Sequence, residues 1–459
     1  MRGNGSTFWQ EGMMDVFGAI KQVVGIGVVV IGLAGPAWAD PEPKDPFVAS
    51  IEAALQKNPR VLAASAQLKA ALEREPQSRS LLMPTVDLTA SVGHDHISWK
   101  NGDASSGPKS YGLSLTQSIF NQKALVGLRQ TKPFIASYEQ DLQAAIQSVF
   151  LDAAAAAVEV LQASEVLQLA RKNVERLKHH LEATRSRFQV GEITRTDVSQ
   201  AESRLATAEA NLVRSESALS LSQARFQEIT GAPVPEGLQL PGFRENLEEL
   251  PRVESQIRAA ERPELLASGL RLKIAEEEVE MKRAAHMPSI SLSAKASRSH
   301  DEEISNTIDP VNKYAVNLGL TMPIYSGGLI VSQTSEALAL KEAKSAELER
   351  LRLQVVREVE AAILELHSAR AADASLETAL RAANDALDGV DREYRVGTRT
   401  ALDLLDARNE AFSVQTELAK SRFARVLAGF RLLHAMGRLN LDALTLNSPQ
   451  SGASADRQP

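Results

Sequence analysis

The chain has 459 residues, a formal net charge of −7, 4% aromatic residues and no cysteine. The acidic balance, with basic residues dispersed along the chain, excludes a nucleic-acid surface; the lack of thiols excludes a disulfide framework, a thiolate metal site and a cysteine lipid anchor. Few bulky groups in a sequence rich in Ala, Leu, Ser, Glu, Gln and Arg predict a mainly helical protein without a thick core.

In chain order, residues 1–39 read as an export signal. "VVGIGVVVIGL" after Lys21 is too short to span a bilayer as a helix, and Ala37 and Ala39 supply the small residues of a cleavage site. A membrane anchor is the alternative reading, and Met13 and Met14 are alternative starts. The mature chain is expected to begin at Asp40, outside the cytoplasm.

Residues 40–243 form a first structural repeat: a helix from about Pro46 to Leu82, strands about 85–97 and 109–120, a long helix 121–189, a turn 190–197, a helix 197–230 and a linker 231–243. In the first strand Val86, Leu88, Ala90 and Val92 alternate with Thr85, Asp87, Thr89 and Ser91, and "YGLSLTQSI" alternates less cleanly at Ile119. Such alternation fits membrane-crossing strands and, equally, soluble hairpins half-buried on helices. "GHDHISWKNGDASSGPK" between the strands reads as a polar turn. Its His94 and His96 have no third ligand nearby in sequence and read as surface groups rather than a metal site. Pro133 either kinks the long helix or marks its true start.

Residues 244–440 form a second repeat: helix 262–287, strands about 288–299 and 312–323, long helix 327–395, turn 396–400 and helix 401–438, followed by a tail, 441–459, expected to be disordered. "NPRVLAASAQLKAALE" falls on "RPELLASGLRLKIAEE", and "MPTVDLTASVG" on "MPSISLSAKAS". "LTQSIFNQ" falls on "LTMPIYSG", and Gly191 on Gly397, all in one order. Self-similarity at a fixed offset is the mark of a duplicated unit. Each long helix has a length of about 100 Å. Four strands cannot close a membrane barrel, which needs at least about eight, so spanning strands require several chains to share one.

The punctuation "FQVGEITRTDVSQ" and "YRVGTRTALDLLD" is read as two hairpin tips. Gly191 and Gly397 suit left-handed helix ends. Thr194 with Asp197, and Thr400 with Asp403, have capping-box spacing. Val174, Leu177, Leu181 and Phe188, like Leu380, Ala383, Leu387, Val390 and Tyr394, fall at coiled-coil spacing below the tips.

These features together resemble the TolC-like outer-membrane factors, the exit ducts of type I secretion and tripartite efflux. The likeness is carried by the "NP" and "RP" helix starts, the "MP" strand starts, "LTQSIF" with "LTMPIY", and most specifically "YRVGTRTALDLLDA". It implies a homotrimer whose strands pool into one transmembrane β-barrel, with long helical hairpins forming a periplasmic α-barrel. It implies residence in the outer membrane lipid of a Gram-negative cell, and docking to a periplasmic adaptor and an inner-membrane transporter of the ABC or RND type. Carried over residue by residue, Asp403 and Asp406 correspond to a pore constriction. Arg399 and Tyr394 correspond to a gate latch with Asp197 as acceptor, and His180 stands where relatives carry a glutamine. By spacing alone, Asp197 and Asp403 also read as ordinary first-turn acids, and Arg399 as a solvated turn residue. No cofactor or metal motif and no catalytic motif is found, which argues against an enzyme. A coiled-coil scaffold without a pore is the competing class. Residues 404–439 look closest to the secretion branch, while the cargo itself is not legible.

Overall fold

The computed structural model describes residues 45–243, 259–300 and 311–445. The export signal at 1–39 lies outside the described residues, as do residues 446–459 of the tail.

The described residues begin with three helices where the sequence reading placed one: α1 (Pro46–Lys57), α2 (Pro59–Leu72) and α3 (Arg74–Ser80). The break between α1 and α2 has a local cause. Proline disfavours helical backbone in the residue before it, and Asn58 is extended at ψ 127. Its side chain caps the Arg60 N–H and donates to the Ile229 carbonyl at 3.1 Å, so the break doubles as a docking point.

Four strands follow: β1 (Thr85–Val92), β2 (Asp95–Trp99), β3 (Gly102–Ser106) and β4 (Lys109–Asn121). The segment read as a polar turn is therefore a correction, because β2 and β3 pair antiparallel into a hairpin of their own. Gly102 lies against the Trp99 ring, where a Cβ would stand 3.1 Å from the indole. Next come α4 (Gln122–Gln189, 68 residues) and α5 (Arg195–Thr230), then β5 (Gly242–Phe243). Pro133 lies inside α4 and does not mark its start. The second repeat supplies α6 (Pro263–Arg283), β6 (Ser289–His300), β7 (Val311–Thr321), α7 (Leu329–Arg395, 67 residues) and α8 (Ala401–Ala435). The tail is ordered further than expected. Leu444–Thr445 forms β8, which pairs with β5, and Leu444 is fully buried.

Strands β1, β4, β6 and β7 form one antiparallel sheet in that order. Its register aligns Val86, Leu115, Ala294 and Val316 in one row, and Leu88, Leu113, Ala296 and Tyr314 in the next. Rows between them hold Thr85, Thr116, Ser293 and Asn317, or Asp87, Ser114, Lys295 and Ala315. Because alternate residues of a strand face opposite sides, one side of the sheet is apolar and the other largely polar. The imperfect alternation near Ile119 reflects an irregular register between Ser118 and Phe120. Among the described residues no helix covers the apolar side: Leu88, Val316 and Leu318 are 78%, 74% and 70% exposed. The outer edges of β1 and β7 have no partner strand among the described residues.

The main core sits halfway along the helices, where Phe47, Ile51, Val149, Phe150, Phe226, Phe430, Leu433 and Met436 converge. Small residues Ala153, Ala154, Ala156 and Ala157 in α4 let neighbouring elements approach closely here. Phe430 packs against Phe47 and Phe243 with ring centroids 6.0 and 5.1 Å away. Arg262, almost wholly buried before α6, is held by Glu358 at 2.6 Å and Glu264 at 3.3 Å.

Both hairpins are laced by ion pairs in the same frame, with signs exchanged. In the first, Arg185 meets Glu202 at 2.7 Å and Arg171 meets Glu216 at 3.5 Å. At positions 206 later, Asp391 meets Arg408 at 3.5 Å and Glu377 meets Arg422 at 3.1 Å.

Candidate functional site

The two hairpin tips are built alike. At the end of α4 the Gly191 N–H donates to the Phe188 carbonyl and the Glu192 N–H to the Arg187 carbonyl; Gly397 and Thr398 do the same with Tyr394 and Glu393. This double closure is the Schellman motif, which requires a left-handed residue, and Gly191 and Gly397 have φ of 79 and 82. Open space surrounds both, so the constraint is conformational rather than steric.

Capping boxes start the descending helices. The Thr194 N–H donates to Asp197 at 2.9 Å while the Asp197 N–H donates back to the Thr194 hydroxyl at 3.4 Å. Thr400 and Asp403 repeat this at 3.0 and 3.2 Å. The Thr400 backbone N–H first, then its hydroxyl, and the nearby Arg399 cation hold the Asp403 carboxyl below the usual carboxylate range. Asp406, one turn further along α8, is exposed, and Asp403 is half-buried.

The contacts between the two hairpins differ from those carried over by resemblance. Within the chain the Asp197 carboxylate is engaged by Thr194, and Arg399 meets Glu393 at 2.8 Å. Tyr394 is met by Arg187, which donates to its hydroxyl at 2.9 Å with the guanidinium carbon 5.3 Å from the ring centre. Arg187 also reaches Glu192 in its own tip turn at 3.2 Å. A second link joins Arg204 of α5 to Asp406 of α8 at 2.7 Å.

His180 of α4 lies further from the tips, within electrostatic reach of Arg408 and Asp391. Its Nε2 is buried without a hydrogen-bond partner. Burial, reinforced by the Arg408 cation and partly opposed by Asp391, pushes its pKa below the usual histidine value.

Sequence reasoning missed Arg187 and Arg204. A signal was present: their counterparts 206 positions later are Glu393 and Glu410, so both sit where the two copies reverse charge. Among the described residues no group of His, Asp and Glu is arranged to hold a metal ion.

The family described as outer membrane efflux protein matches residues 50–232 and 255–438, one match for each repeat. The chain belongs to this family. Among family members, the outer membrane efflux protein BepC of Brucella suis biovar 1 (strain 1330) is 30% identical over 342 residues, 74% of each chain. The outer membrane protein TolC of Escherichia coli (strain K12) is 28% identical over 443 residues, 92% of this chain and 88% of its own. In fold, the CmeC outer membrane channel of Campylobacter jejuni superposes with a TM-score of 0.75 at 16% identity, covering 93% of this chain and 96% of that one. Family membership makes this an outer-membrane channel protein with a large periplasmic part. The four-stranded sheet with its exposed apolar face and the long helical hairpins fit that architecture.

Proposed function

We propose that three copies of this chain assemble into one channel, whose periplasmic tunnel is the exit duct for tripartite efflux or type I secretion. The observation that carries this reading is the four-stranded sheet with an uncovered apolar face and two open edges. Unpaired backbone groups in lipid cost several kcal/mol each, so the sheet is satisfied only by closing against further copies. Copies that close a ring leave the interior aqueous, in keeping with a chain poor in large core residues.

The tips form the periplasmic gate. Asp403 and Asp406 line its constriction, sharing a helix face three residues apart, and Arg187 with Tyr394 ties the two hairpins while it is closed. A periplasmic adaptor docks on the tip helices and an inner-membrane transporter supplies the energy; the duct itself performs no enzymatic chemistry. Both cargo classes are kept: residues 404–439 lean toward secretion, and the relative BepC is named for efflux.

Planar-bilayer recording tests this. The purified protein should give a small, cation-selective conductance, and Asp403→Ala with Asp406→Ala should abolish the selectivity. Absence of any conductance would leave a poreless scaffold as the better reading.

A further inference from the structure

We infer that Arg204 sets the charge of the constriction, acting as a specificity-determining residue from the opposite hairpin. The inference rests on the reading of Asp403 and Asp406 as the constriction. Arg204 projects from α5 and its guanidinium lies 2.7 Å from the Asp406 carboxylate on α8. It stands beside a small cleft between the hairpins, lined also by Ala208 and Asn211 of α5 and Leu405 and Phe412 of α8. The first two turns of α8 contribute two carboxylates, Asp403 and Asp406, and Arg204 returns one positive charge, so each chain brings one net negative charge to the constriction instead of two. Arg399 and Arg408, the latter lining the same cleft, each face a carboxylate of their own hairpin, Glu393 and Asp391.

The duplication sharpens the point. Position 200, the counterpart of Asp406, is Gln200, and position 410, the counterpart of Arg204, is Glu410. The acid thus occurs on one hairpin, and the base that meets it on the other. Both side chains are about half exposed, 42% for Arg204 and 56% for Asp406. A pair this wet adds little to stability, but a fixed charge acts on passing ions whether or not the pair is strong. An acidic ring moderated by cations discriminates less steeply against anions than a purely acidic one. Cargo that carries carboxylates or phosphates then meets a lower barrier.

The test is the reversal potential of single channels in a KCl gradient, measured on the intact assembled protein. Arg204→Gln is expected to raise the cation-to-anion permeability ratio on the order of five- to sixfold, because a unit charge about 8 Å away in water changes the permeability of each ion by roughly 2.4-fold, in opposite directions for cation and anion. Arg204→Lys keeps the charge and should leave the ratio near that of the parent protein. Asp406→Asn should lower it. An unchanged ratio in Arg204→Gln, with Asp406→Asn still lowering it, overturns the role of Arg204 while the acidic constriction stands. A larger conductance at unchanged ratio makes Arg204 a mechanical tie only, and equally overturns it. If neither Asp403→Asn, Asp406→Asn nor Arg204→Gln moves the ratio, the constriction reading itself fails.

Discussion

Arg187 of α4 holds Tyr394 of α7 in two ways at once, by a 2.9 Å hydrogen bond to the hydroxyl and by its guanidinium 5.3 Å from the ring centre. The two residues are 207 positions apart in sequence and sit at the ends of the two ascending helices. The Glu192 contact fixes the Arg187 side chain from behind. Because the link crosses between hairpins, it bears on their relative position more than on the stability of either.

Removing the parts of this link should have graded effects. Tyr394→Phe deletes the hydroxyl but keeps the ring for the cation, whereas Arg187→Ala deletes both contacts. Single-channel conductance is expected to rise modestly in Tyr394→Phe and more in Arg187→Ala. Arg399→Ser, whose partner Glu393 lies in the same hairpin, should change it least. A reversed order would restore Arg399 as the principal tie.

His180 gives the seam a pH dependence of definite sign. Its pKa is lowered by burial and by Arg408, so the unfolded or opened chain binds its proton more readily than the closed one. The stabilisation is complete above the ordinary histidine value of about 6.5 and is lost as pH falls below it toward the lowered value. Open probability should therefore rise on acidification from neutral, and His180→Gln should flatten the curve. Acid-induced opening that persists unchanged in the variant would place the sensor elsewhere.

The exchanged signs of the two ion-pair ladders bear on which helices pair. Were α8 to replace α5 as the hairpin partner of α4, Arg185 and Arg171 would face Arg408 and Arg422; the observed pairs oppose unlike charges. Each exposed pair contributes about 0–1 kcal/mol, so the gain lies in rejecting wrong partners. Glu202→Arg with Glu216→Arg should lower the yield of assembled channel. Adding Arg185→Glu and Arg171→Glu should recover most of it, as measured by the fraction of trimer in detergent.

At mid-height, Gly429 of α8 lies directly beneath Phe243, and a Cβ there would come 2.5 Å from the ring. Gly429→Ala must displace Phe243 and with it the β5 and β8 pairing. Overpacking of this kind costs roughly 1–3 kcal/mol. A fall in the midpoint of thermal unfolding is expected, relieved by Phe243→Leu. No fall in Gly429→Ala would mean that the ring shifts freely.

Repeat architecture, both long helices, both capped tips and the main strands were legible because each depends on local pattern: apolar period, glycine placement and the threonine-to-aspartate spacing. The β2 and β3 hairpin was not, since "HDHISW" and "GDASS" lack a clean alternation. The division of the first helix was signalled by Pro59, read only as a helix start, while its purpose, the Asn58 contact to Ile229, is 171 residues away in sequence. The same distance problem hid Arg187 and Arg204. Each tip could be read by itself, but pairing between tips depends on how two hairpins are set side by side, which no local spacing encodes. Resemblance supplied Asp197 as the acceptor for Arg399 and Tyr394; within the chain its Oδ2 serves the Thr194 cap.

Everything turns on the open edges of β1 and β7 being closed by other copies. The native chain has no cysteine, so one cysteine placed on β1 and one on β7 give a clean test by oxidative cross-linking in detergent or outer membranes. Within one chain the two strands are separated by β4 and β6, roughly 14 Å, beyond the roughly 7 Å Cα reach of a disulfide. A covalent species of three chains, formed only when both cysteines are present, is the expected result. Cysteine pairs along the length of both strands that yield monomer alone, from protein that stays soluble without detergent, would contradict the shared barrel.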